Sequence, residues 1–175
     1  MTRPQHGLLI VYTGNGKGKT SAAVGAVVRA TGQGLRAVML QFIKSGARVS
    51  GERVSAERLG VEIAPLGDGF TWLSKDIERT AQLALDAWER AKAIIAAGEH
   101  DLVVLDEFTY PLQYLWIDAR EAVAAFAARP AHVHVIVTGR AAPDVLVEAA
   151  DLVTEMREVK HPYQAGIPAQ RGIDF

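Results

Sequence analysis

The segment Thr13-Gly14-Asn15-Gly16-Lys17-Gly18-Lys19-Thr20-Ser21 crowds three glycines, two lysines and three hydroxyls into nine residues. That mixture suits a polyphosphate. Glycines let successive amides turn inward as a nest of N–H donors, and a helix behind them adds the unpaired amides of its first turn. Lys19 would add a point charge and the Thr20 hydroxyl a ligand for Mg²⁺. Gly14, Asn15, Gly16, Lys17, Gly18, Lys19, Thr20 and Ser21 are therefore the expected nucleotide-binding residues; the alternative is a glycine-rich turn without a ligand. The spacing departs from the usual Walker A pattern, because Gly14 leaves three residues rather than four before the Gly18-Lys19 pair.

Asp101-Leu102-Val103-Val104-Leu105-Asp106-Glu107 is an apolar run closing on two carboxylates, the Walker B pattern. Asp106 or Glu107 could hold Mg²⁺ directly or through water; by itself the pair reads equally well as a helix cap and a solvated acid. Thr138-Gly139-Arg140 ends another apolar run, so Arg140 would emerge beside the loop, where its planar fork suits phosphate oxygens. A surface ion pair is the plainer reading. Gln41 and Lys44 have similar, weaker claims at the end of a third run. Gly69-Phe70-Thr71-Trp72 sets two large aromatics two residues apart, on one face if the segment is extended. Without other context they would be a hydrophobic anchor.

These groups need a frame. Leu8–Thr13 is a short β-rich run, followed by a helical pattern from Lys19 to Thr31 and a second buried run from Ala37 to Ile43. A polar, glycine-rich stretch over 44–69 is expected to hold a short helix near Glu52–Leu59 and a strand near Val61–Ala64. Ile77, Ala81, Ala84, Leu85, Trp88, Ala91 and Ile95 recur at helical spacing within Asp76–Ala97. Then follow a strand at Leu102–Leu105, two short helices divided near Ile117, a strand at His132–Thr138, a helix at Asp144–Ala150 and a strand at Leu152–Met156. Strands alternating with helices, several of them wholly apolar, predict a mostly parallel sheet covered on both faces, an α/β fold of the P-loop NTPase-like (RecA-like) class. Ligands of such sheets sit at the carboxyl ends of the strands. The 175 residues suit one domain, with a short flexible N-terminus over 1–7 and an irregular tail over 160–175.

Composition limits the classes of function. Hydrophobic residues make up 49%, which is globular, and a net charge of −1 gives no general attraction to nucleic acid or to an anionic membrane. The absence of cysteine rules out a thiol nucleophile or a thiolate metal site and fits a reducing, cytoplasmic setting. No apolar run approaches the roughly 20 residues of a membrane-spanning helix.

Taken together, TGNGKGKT at Thr13–Thr20, QFIK at Gln41–Lys44, GER at Gly51–Arg53, GFTW at Gly69–Trp72, VVLDE at Val103–Glu107, TGR at Thr138–Arg140 and the tail VKHPYQAGIPAQRGIDF at Val159–Phe175 resemble the P-loop ATP:cob(I)alamin adenosyltransferases of bacterial corrinoid synthesis and salvage. The shortened loop is itself a feature of that family, and GFTW with the tail is its most specific mark. The resemblance implies transfer of the 5′-deoxyadenosyl group of ATP to corrinoid cobalt with release of inorganic triphosphate. It further implies dependence on Mg²⁺ or Mn²⁺, a homodimer, and a reduced flavoprotein as electron donor. ATP would lie reversed in the loop, with C5′ toward the acceptor. Lys19, Glu107 and Arg140 become the expected catalytic residues, Thr20, Asp106 and Glu107 the metal ligands, and Phe70 and Trp72 the rings that displace the lower axial ligand of cobalt.

Many relatives carry a longer segment before the first strand that covers the partner's site; here about seven residues precede it, so such a lid is expected to be missing or supplied differently. The rival reading is a RecA-like ATP hydrolase or small kinase, which would need a group orienting a nucleophile at the γ-phosphate. His132 and His134 are expected to pack rather than bind metal, and His161 is either structural or corrinoid-facing.

Overall fold

Parallel strands need long crossovers, and this chain makes them from helices between successive strands. The computed structural model describes residues 6–47, 49–69 and 76–174. Its strands are β1 (Leu9–Thr13), β2 (Ala37–Gln41), β3 (Glu62–Pro65), β4 (Leu102–Asp106), β5 (His134–Thr138) and β6 (Leu152–Glu155). They form one sheet in the order β3-β2-β4-β5-β1-β6, and every pairing is parallel. The helices are α1 (Lys19–Gly32), α2 (Gly51–Arg58), α3 (Ile77–Ala97), α4 (Thr109–Gln113), α5 (Ala119–Ala127) and α6 (Asp144–Ala149).

Side chains alternate across the sheet. Val38, Leu40, Val103, Leu105, Val135 and Val137 face Trp88 and Ile95 of α3, Phe126 of α5 and Leu146 of α6. Met39, Val104 and Ile136 face Ala23 and Val27 of α1 and Ala56 of α2. Both faces are therefore dry, which is why these strands are apolar without interruption. Phe108, directly after the acidic strand end, sits against Phe42 and Trp88 with ring centroids 4.9 and 5.0 Å away. This aromatic cluster anchors the chain under the site.

The expected strand over Ala37–Ile43 ends at Gln41. Phe42 and Ile43 are buried, but in a bend: Phe42 N–H still reaches the Asp106 carbonyl at 3.0 Å, and Gly67 packs so closely that a β-carbon there would lie 2.4 Å from the Ile43 carbonyl oxygen. Apolar character marks burial, and a buried bend carries it as well as a strand does. Likewise β5 begins at His134 rather than His132, because Val133 N–H closes a turn on the Pro130 carbonyl at 3.0 Å.

The strand order matters most for function. With β2, β4, β5 and β1 side by side, the chain segments leaving Gln41, Asp106, Thr138 and Thr13 emerge in a row at the carboxyl edge.

Candidate active site

At the end of β1 the loop turns on Gly14 at φ 94° and Gly18 at φ 111°, conformations that favour glycine. Gly18 is the residue before α1, and among the described residues no side-chain cap bond is made at this helix start. The amides of Lys19, Thr20 and Ser21 lie in the first turn, where an α-helix offers no acceptor of its own. An uncapped helix start with a lysine beside it is chemically suited to an anion.

Lys19 is buried, with 7% of its surface exposed, and its Nζ donates to the carbonyls of Gly14 and Gly16, each at 2.8 Å. Burial pulls its ammonium below the ordinary lysine value, while the negative charges of Glu107 and Asp106 oppose that shift. The loop is thus held in shape by its own cation. Gly16 N–H is not aimed at a ligand; it donates to the Met156 carbonyl at 2.7 Å. Lys17 is half exposed and ion-pairs with Asp174 in the tail. Asn15 and Ser21 are exposed.

Asp106 is fully buried and is held from three sides. Its Oδ1 accepts from Thr20 Oγ1 at 2.8 Å and from Thr138 Oγ1 at 2.7 Å, and its Oδ2 accepts from Gln41 Nε2 at 3.1 Å. Glu107 follows in the left-handed region at φ 61°, with its N–H on Thr138 Oγ1 at 3.0 Å. This backbone turn sends the two neighbouring carboxylates in different directions. Glu107 Oε2 is buried and has no hydrogen-bond partner among the described residues. Burial first, and then the charge of Asp106, push the Glu107 carboxyl up to about 6, against the pull of Lys19, Lys44 and Arg140.

Arg140 is exposed at the rim beyond Gly139, and its carbonyl accepts from Gln113 Nε2 at 2.6 Å. Gly139 lies so close to α4 that a β-carbon would fall 1.9 Å from Thr109 Oγ1. Gln41, expected toward phosphate, is buried and engaged with Asp106 instead. Lys44 pairs with Glu52 at 2.5 Å, while its charge still reaches Glu107. Phe70 and Trp72 lie outside the described residues. His132 Nε2 meets the Gly98 carbonyl at 3.0 Å, His134 Nδ1 accepts from Leu8 N–H at 3.0 Å, and His161 Nδ1 accepts from Tyr163 N–H at 3.1 Å. All three histidines have structural contacts.

Four residues have contacts or surroundings that a reading of motifs does not give. Thr138 joins the Asp106 carboxylate and the Glu107 backbone N–H through one hydroxyl. Tyr110 stands one turn past Glu107, and burial together with the Glu107 charge raises its phenol above the ordinary value. Met156 and Asp174 bring the chain after β6 against the loop; the specificity of the tail sequence was a signal for Asp174 alone. A separate cavity of about 360 Å³ opens near the start of β2, beside Arg36, Glu62 and His100, away from all of these groups.

The model of the ATP:corrinoid adenosyltransferase BtuR/CobO/CobP family matches residues 5–175. The chain belongs to this family. It is 44% identical to the corrinoid adenosyltransferase of Pseudomonas aeruginosa over 99% of this chain and 86% of that protein. It is 43% identical to the corrinoid adenosyltransferase CobA of Salmonella typhimurium over 98% of this chain and 87% of that one. Among solved structures, the flagellar accessory protein FlaH of Methanocaldococcus jannaschii superposes with a TM-score of 0.63 over 86% of this chain and 71% of that chain, at 11% identity. That last likeness concerns the fold alone. In this family member a glycine–lysine loop, two carboxylates and an arginine stand on one sheet edge.

Proposed function

We propose that the loop Gly14–Ser21, with Lys19, Thr20, Glu107 and Arg140, holds the triphosphate of ATP so that its 5′-deoxyadenosyl group passes to the cobalt of a reduced corrinoid. The observation that carries this reading is the open start of α1, where Lys19 and Thr20 stand on an uncapped first turn beside two carboxylates.

In this reaction the cobalt(I) electron pair forms the Co–C5′ bond, the C5′–O bond breaks, and the triphosphate leaves with that bond pair. Cobalt is oxidised by two electrons. The nucleophile has no proton to lose, so no general base is required. The protein's tasks are to orient C5′ for in-line attack and to stabilise charge on the leaving triphosphate. The first-turn amides and Lys19 meet that charge, and Arg140 reaches it from the rim.

The residues present fit a divalent cation. Thr20 gives its proton to Asp106, leaving its lone pairs for another partner, and Glu107 Oε2 is buried without one among the described residues. Thr20 and Glu107 would hold Mg²⁺ or Mn²⁺, with Asp106 acting behind Thr20. A bound cation of this kind would neutralise charge developing on the leaving group. Protein ligands so few are usual for Mg²⁺, which keeps several waters.

Phe70 and Trp72 are the proposed corrinoid-facing rings, a role that rests on the family resemblance. Apolar rings can occupy the lower axial position without ligating cobalt, which favours the reduced state. Trp72→Ala should therefore slow conversion from cob(II)alamin more than from chemically prepared cob(I)alamin; equal losses would make Trp72 a packing residue. A homodimer and a reduced flavoprotein donor rest on the same resemblance, and a cytoplasmic setting on the cysteine-free composition. No helix among the described residues is long and apolar enough to cross a membrane.

The test is an anaerobic incubation with ATP, Mg²⁺ and reduced corrinoid. Inorganic triphosphate and a light-sensitive Co–C product are expected. ADP or orthophosphate as the main product would favour the hydrolase or kinase reading instead.

A further inference from the structure

We propose that Thr138 is a positioning residue for the metal-binding groups: its one hydroxyl holds the Asp106 carboxylate and the Glu107 backbone and, through Asp106, orients the Thr20 hydroxyl. The inference rests on the reading above, in which Thr20 and Glu107 hold the cation.

The argument starts from what the position requires. Thr138 ends β5 after Val135, Ile136 and Val137, and it is fully buried. Valine would fill the same volume on a strand, so the hydroxyl is present for its chemistry and must be satisfied. Its partners fix its orientation. Glu107 N–H can only donate, so Thr138 Oγ1 accepts there at 3.0 Å and turns its own proton to Asp106 Oδ1 at 2.7 Å.

Two consequences follow. Asp106 Oδ1 serves as acceptor for both threonines, so the Thr20 proton also points to it, at 2.8 Å, and the Thr20 lone pairs point elsewhere. Gln41 Nε2 holds the other oxygen at 3.1 Å, which stops the carboxylate from turning. Meanwhile Glu107 occupies a left-handed conformation, at φ 61°, that a residue with a β-carbon rarely adopts unless it is tied down. The Thr138 hydroxyl supplies such a tie. One oxygen on β5 thus couples the end of β4 to the first turn of α1, and none of these three segments is near another in sequence.

The experiment measures binding of ATP alone, without corrinoid, by calorimetry, once with excess EDTA and once with Mg²⁺, for the wild type, Thr138→Val and Thr138→Ser. The wild type should bind ATP more tightly with Mg²⁺. In Thr138→Val that metal-dependent gain should fall by about tenfold or more, as loss of an outer partner of a metal ligand does, while metal-free binding stays within about twofold. Thr138→Ser should recover most of the gain. If Thr138→Val does not fold, Thr138→Ala, which leaves room for water, is compared with Thr138→Ser in the same way. A valine or alanine variant that keeps the full gain overturns the assignment. So does one whose metal-free and metal-bound affinities fall together, since that is the mark of a merely structural residue. A wild type whose ATP affinity ignores Mg²⁺ overturns the metal-site reading itself, and this proposal with it.

Discussion

The phosphate loop and the C-terminal tail touch, yet they are built in opposite ways. The loop grows from β1, which is paired on both sides, and it closes around a lysine only 7% exposed. The tail after β6 is stretched over the outside: Val159, Tyr163 and Ile173 are 91, 81 and 79% exposed. Its hydrogen bonds are mostly local, such as Gly166 N–H to the Tyr163 carbonyl and Asp174 N–H to the Gln170 carbonyl. The two regions meet where Met156 accepts from Gly16 and where Asp174 pairs with Lys17.

The contrast changes what the loop glycines mean. A β-carbon on Gly14 would lie 2.4 Å from the Met156 carbonyl oxygen, and one on Gly16 would lie 2.8 Å from the Arg157 carbonyl. A phosphate-centred view assigns these glycines to the ligand. The structure adds a second demand, the passage of the chain leaving β6 across the back of the loop. The loop therefore has a chemical face and a packing face, and the tail supplies the packing.

Removing the cation of the loop should have the largest effect. Lys19→Ala should lower kcat/KM for adenosyl transfer by at least about 100-fold, the scale of losing one group that meets transition-state charge. Near-normal turnover in the anaerobic assay would end the phosphate role. Next comes the packing face. Gly14→Ala combines a left-handed φ of 94° with the contact on Met156, so a stability loss of roughly 2–4 kcal/mol is expected in a denaturant melt. An unchanged midpoint would show that the tail yields easily to the loop.

Glu107 separates stability from function. Its carboxyl is raised from the ordinary 4.5 to about 6, so the folded state binds the extra proton between those values. Its charging carries no penalty below about pH 4.5, and stability is lost as pH rises through 6. A shift of that size corresponds to about 2 kcal/mol. Glu107→Gln, neutral throughout, should be more stable than the wild type by up to that amount at pH 8 and equal to it near pH 4, while losing most transfer activity. A variant no more stable at pH 8 would contradict the buried charge. The smallest effect belongs to the tail. The pair of Lys17 with Asp174 is half exposed on the lysine side, and such pairs contribute less than about 1 kcal/mol. Asp174→Asn should raise KM for ATP about two- to threefold with kcat unchanged. A loss in kcat would place the tail in the chemistry.

Much of this site was legible in one dimension. The glycine–lysine loop between a strand and a helix, the acids closing β4 and the Arg140 exit from β5 are local patterns, and each stands where its local context put it. The roles of Gln41 and Thr138 were not legible. Both end apolar strands, and nothing nearby in sequence says that their polar groups turn toward Asp106 rather than toward a ligand. The bend at Phe42–Ile43 was missed for a related reason, since hydrophobicity reports burial rather than backbone direction.

What the amino-acid sequence determined by itself was the set of parts: a glycine–lysine turn, carboxylates and an arginine at strand ends, and apolar runs that had to be covered on both faces. These depend on neighbouring residues, through backbone freedom at glycine and side-chain periodicity. Only the tertiary structure decided the order β2-β4-β5-β1 and the crossing of the tail behind the loop. Both arise from pairing between segments dozens of residues apart, and that pairing turned one threonine hydroxyl into the link between two acids and a helix.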